Sequence, residues 1–131
     1  MYLDKIEIII ENKNVSGLVN IVGNAQKTGT LFHRAASNIK AGEMALNPVR
    51  YSDVYLNRCL NTAGLSGRQL PDVIGMRHDG TGMLIEVVSK SQTVEKMETK
   101  CLGMIARNVG SDYRVVDWAA KISRFYKKIR H

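Results

Sequence analysis

Between Leu70 and Thr93 the chain reads LPDVIGMRHDGTGMLIEVVSKSQT, two short apolar runs around a polar centre. The runs DVIGM and MLIEVV are rich in β-branched residues, and the Asp-Gly in RHDGTG is a hairpin signal, so the pattern predicts two antiparallel strands. MLIEVV is apolar almost throughout, as expected of a strand covered on both faces. From Thr30 to Leu46 the apolar positions recur at helical spacing. Thr30 is placed to cap a helix, Leu31, Ala35, Ile39 and Leu46 form its face, and Asn47-Pro48 ends it. A second helix is expected from about Ser52 to Leu60, closed by NTAGLSG.

TVEKMETKCLGMIARNVG gives another helix, with Val94, Met97, Cys101, Met104 and Ile105 on one side. DYRVVDW reads as a strand. AAKISRFYKKIRH reads as a basic helix with an Ile122, Phe125, Ile129 stripe. Before residue 30 the pattern is less regular: KIEIII fits strand or helix, and Gly17, Gly23 and Gly29 mark loops or short elements. The sum is an α/β chain in which helices cover a small mixed sheet. It divides into an N-terminal segment, 1–29, and a main unit, 30–131, within one compact domain.

Composition narrows the classes. The chain has 131 residues, with 44% hydrophobic and 24% charged positions, values typical of a globular domain. No apolar run approaches the ~20 residues that span a bilayer. MYLDKIEIIIENKN lacks the basic start and cleavage site of a signal peptide. Cys59 and Cys101 stand apart without zinc-type spacing and read as packing residues in a reducing setting. Nineteen Lys and Arg against twelve Asp and Glu leave a net charge of +7. A field of that sign draws polyanions, nucleic acid first and an acidic protein second.

Three acids stand out against this background. Asp72 opens the first hairpin strand, Glu86 interrupts the second, and Glu43 falls between Ile39 and Leu46 on the apolar side of its helix. A buried acid is costly unless a cation or hydrogen-bond donors meet it. Near the open end of an antiparallel hairpin Asp72 and Glu86 can approach each other, and a divalent cation would relieve their repulsion. Mg²⁺ and Mn²⁺ take oxygen ligands and are commonly held by one or two carboxylates. The alternative for each acid is structural: local amides for Asp72, an internal Arg for Glu86 or Glu43.

LPDVIG followed by LIEVVSKSQT resembles the PD-(D/E)xK superfamily of restriction-endonuclease-like nucleases. The stretch from DVYLNRCLNTAG through EVVSKSQT to EKMETKCLGM resembles C-terminal nuclease modules of the contact-dependent inhibition and Rhs polymorphic toxins. The resemblance spans roughly residues 30–120 and implies an αβββαβ core. It also implies that Asp72 and Glu86 are catalytic acids holding Mg²⁺, Mn²⁺ or another divalent ion, with Glu43 a further catalytic acid from the first helix. The chain departs from the motif at Val88, where a lysine is expected. Lys100 on the following helix, Lys90 at the end of the strand, and Gln92 are the replacements, Lys100 with Gln92 placed first. Arg77, Lys96 and Arg58, together with Arg50, are the candidate phosphate contacts. His33 and His78 are given no role.

The expected function is therefore metal-dependent hydrolysis of nucleic-acid phosphodiesters, DNA placed ahead of tRNA. The resemblance implies a module secreted within a larger toxin and delivered to a target cell's cytoplasm, with an acidic immunity protein in the producer. Two other readings stand beside it. One is a resolvase-like enzyme of the same fold working in its own cytoplasm. The other is a basic nucleic-acid-binding module whose acids are structural.

Overall fold

The computed structural model describes residues 17–26, 31–89 and 92–117. The N-terminal KIEIII, the capping Thr30, Lys90 and the basic C-terminal helix lie outside the described residues. The elements are β1 (Ile21–Gly23), α1 (Leu31–Ala45), β2 (Tyr51–Leu56), a short 3-10 helix (Leu60–Ala63), β3 (Val73–Arg77), β4 (Gly82–Val87), α2 (Val94–Arg107) and β5 (Asp112–Val116). From α1 onward the order is helix, three strands, helix, strand. The strands form one mixed sheet in the order β1-β2-β3-β4-β5. β2, β3 and β4 are an antiparallel meander, while β1 runs parallel to β2 and β5 parallel to β4.

Two apolar layers flank the sheet. On one face Ala36, Ala41, Met44 and Ala45 of α1 pack on Val54, Val73, Met83, Ile85 and Val87. On the other, Cys101 and Met104 of α2 join Leu60, Ile74, Met76 and Leu84. β4 is buried along its whole length, as its continuous apolar run predicts. Its alternate side chains serve opposite layers, which sends Glu86 toward α2 with Leu84. Cys101 is a free thiol in this core, pushed up to about 12 by burial and by the nearby Glu86 charge, so it packs rather than reacts.

Two expectations are corrected. The helix expected over 52–60 is strand β2 followed by the 3-10 helix. The cause is a bulge: Tyr51 pairs with Arg77 but Asp53 pairs with Met76, leaving Ser52 as an extra residue. Tyr51 and Val54 thus both face inward, and a strand takes on the three-residue spacing of a helix. The face of α1 is also rotated. Leu31 is 77% exposed, whereas His33, Ala36, Ser37, Ala41, Met44 and Ala45 are buried. Small residues let the helix approach the sheet closely: at Gly75 of β3 an added Cβ would lie 2.7 Å from Met44 Sδ and 2.8 Å from the Tyr51 ring.

Candidate active site

The register of the hairpin sets the site. Val73 pairs with Ile85, so one more step along the same antiparallel register puts Asp72 opposite Glu86. Asp72 lies just ahead of β3, where its carboxylate continues the ladder in place of a backbone carbonyl. Its Oδ2 accepts from the Val87 N–H at 2.7 Å. The same oxygen meets His33 Nε2 at 3.2 Å, from the buried face of α1. A carboxylate only accepts, so this contact is a hydrogen bond when Nε2 carries the proton.

Glu86 is 3% exposed and accepts from Lys100 Nζ at 2.9 Å through Oε1. Lys100 also donates to the Leu70 carbonyl at 3.3 Å, tying α2 to the segment that leads into Asp72. Its side chain is 34% exposed, so the site meets solvent along this lysine. Burial pushes the Glu86 carboxyl up to about 7, the Asp72 charge adds to the rise, and Lys100 pulls it back. His33 is raised as well, chiefly by its hydrogen bond to Asp72, against the opposing effect of burial.

Asp72 from the position just before β3, Glu86 of β4 and Lys100 of α2 are thus neighbours at one end of the sheet. Lys96 lies one turn before Lys100 and is exposed, on the same flank of the helix. Gln92 is engaged elsewhere: its Oε1 accepts from the Ser89 N–H at 3.2 Å, closing the turn between β4 and α2. At the motif position Val88 lies just past β4, its N–H bonded to the Val116 carbonyl.

Glu43 does not join the pair. It lies near the far end of α1 from His33, roughly 15 Å along the axis, and pairs with Lys40 at 3.5 Å. The reason is the rotated face of α1, which leaves Glu43 on the flank. Arg77 ends β3 at the opposite end of the strand from Asp72, and its guanidinium is held by Asp112, Thr81 and the Gly110 carbonyl. That engagement makes Arg77 a strut of the hairpin. Arg58 is half-buried beyond the end of β2 and rests on Gly23.

Sequence reasoning missed His33. Its signal was the spacing His33, Ser37, Ala41, Ala45, a stripe of one polar and several small residues that reads as surface when the larger Leu31 and Ile39 are taken as the face.

No family model, curated protein or solved structure matches this chain. Among the described residues no group of three or more His, Cys, Asp or Glu side chains is arranged to hold a metal, and no helix is long and apolar enough to cross a membrane. The donors at the site are two carboxylates. Among the described residues the Val87 N–H and His33 Nε2 meet Asp72 at Oδ2, Lys100 meets Glu86 at Oε1, and the Asp72 backbone N–H also donates to the Glu86 carboxylate. Two carboxylates, one raised by burial and then by the charge of the other, are hard oxygen donors of the kind that Mg²⁺ or Mn²⁺ takes.

Proposed function

We propose that the chain is a metal-dependent nuclease of the restriction-endonuclease-like type. The observation that carries this reading is the meeting of Lys100 with Glu86 directly across from Asp72. A lysine from the neighbouring helix supplies the amine that the motif lacks at Val88. The helix, three strands, helix, strand order from α1 onward supports the same reading, as does the net charge of +7.

In this account Asp72 and Glu86 would hold Mg²⁺ or Mn²⁺, which when bound acidifies water and offsets charge on a phosphoryl oxygen. His33 and the Val87 N–H fix the orientation of Asp72. Lys100 places its ammonium at the solvent side of the pair, where negative charge grows on the phosphate during attack. Lys96 extends that positive flank toward the substrate. DNA stands ahead of tRNA as substrate. The toxin resemblance adds delivery into a target cell as part of a larger secreted protein, and an acidic immunity protein that covers the positive surface.

A second reading draws on one observation: Asp72 faces His33 and Glu86 faces Lys100, so each acid already has a nitrogen partner. On that view the four residues are a structural brace in a basic binding module. Incubation with supercoiled plasmid and with total tRNA, in Mg²⁺ or EDTA, separates the two. The nuclease reading expects cleavage in Mg²⁺ alone, its loss in Asp72→Asn and Glu86→Gln, and a fall of roughly 10²–10³ in rate for Lys100→Met. Binding without cleavage by the parent protein would leave the brace. Growth arrest on cytoplasmic expression, absent in Asp72→Asn, is the corresponding expectation for a toxin.

A further inference from the structure

On the α1 face of the sheet lies a hollow of about 200 Å³. It runs from Ile85 and Arg114, level with Val73, to Tyr51, which pairs with Arg77 at the other end of β3. Its floor includes Met83 and Ile85 of β4, on the side of the strand opposite Glu86. Lys40 of α1, Arg50 before β2, and Arg114 of β5 line it, with Glu43 as its acid. Lys40 is matched by Glu43 at 3.5 Å. Among the described residues neither Arg50 nor Arg114 is paired with a carboxylate, and Arg50 is held over the Tyr51 ring at 5.7 Å. Two guanidiniums from separate elements therefore border one concave space with an apolar floor and an excess of positive charge.

We infer that this hollow is an anchoring site for a backbone phosphate of nucleic acid, separate from the Asp72–Glu86 pair. Guanidinium forks match phosphate oxygens in pairs, and Arg50 just before β2 and Arg114 of β5 both line the hollow. The size favours a phosphate with its sugar. An acidic protein docks through a broad face, on the order of 800 Å² per partner, which a hollow of this size does not offer. The location deepens the nuclease reading and rests on it in one respect. Measured along α1, the hollow lies roughly 10–15 Å from the His33 end, a few nucleotides at about 3.4 Å of axis each. To reach Glu86 and Lys100, which face α2, a strand held here would continue round the end of the sheet that carries Asp72.

The test is binding, measured in EDTA so that cleavage plays no part. Labelled DNA oligonucleotides and tRNA are titrated by anisotropy across a range of salt. The variants are Arg50→Gln/Arg114→Gln and a charge-matched control, Arg68→Gln/Arg107→Gln, which alters exposed arginines in the loop after the 3-10 helix and in the last turn of α2. Thermal unfolding checks that each is folded, and Arg50→Lys/Arg114→Lys retains charge without the forks. The expectation is a roughly tenfold or greater loss of affinity and a salt slope shallower by about two for the first variant, with the control close to the parent and the lysine variant between. Equal losses in the first variant and the control would overturn the site, as would an unchanged first variant. It would also fall if polyglutamate or inorganic phosphate bound through Arg50 and Arg114 while oligonucleotides did not. A parent protein that binds through these arginines yet never cleaves refutes the nuclease reading and leaves this inference standing.

Discussion

Glu86 is the residue on which the local energetics turn. Its carboxyl is buried beside a second acid, and the proton it holds up to about pH 7 is released near 4.5 in the unfolded chain. Between these values the folded protein binds a proton that the unfolded one has lost, so stability falls as pH rises through that window. The raised His33 acts in the same sense: its contribution is present below its ordinary value of 6.5 and is lost as pH climbs through the higher folded one. Urea unfolding in EDTA should therefore show the protein more stable at pH 5 than at pH 8. Glu86→Gln should flatten this dependence by on the order of 3 kcal/mol. Parallel pH profiles for the two proteins would show that Glu86 is not the titrating group.

At the scale of elements, the acids come together because a hairpin and two helices converge on one end of the sheet. β3 and β4 present Asp72 and Glu86, α1 brings His33 to the first, and α2 brings Lys100 to the second. The closeness of α1 depends on its small residues and on Gly75. Gly75→Ala would press on Met44 and the Tyr51 ring, and overpacking of this kind costs about 1–3 kcal/mol. The expected result is a lowered unfolding midpoint, checked by thermal melting, and an unchanged midpoint would mean that α1 has room to yield. Most of this level was legible in the chain. The β-branched hairpin, the helix carrying Met97, Cys101 and Met104, and the final strand follow from patterning. β2 was not legible, because the bulge at Ser52 disguises its alternation. The phase of α1 was not either, because large exposed residues outweigh alanines in any reading of apolar stripes.

For the molecule as a whole, the α-and-β class and mixed sheet followed from element order and the positive field from composition. That Asp72 and Glu86 can approach each other was legible in the hairpin pattern, while Lys100 was reached through the family resemblance, as one of the replacements for the lysine missing at Val88. What the sequence withheld were contacts made across elements distant along the chain: His33 with Asp72, Lys100 with the Leu70 carbonyl, and the two arginines around the hollow. No local pattern encodes these, since each depends on how helix and sheet are docked. In the proposed function, two carboxylates facing each other across a ladder jointly hold a hard divalent ion. Calorimetric titration with Mn²⁺ near pH 8, where Glu86 is ionised, measures this directly. One ion per chain is expected, with binding lost in Asp72→Asn and in Glu86→Gln while both variants remain folded. No Mn²⁺ uptake by the parent protein, or uptake undiminished in the two variants, would contradict it.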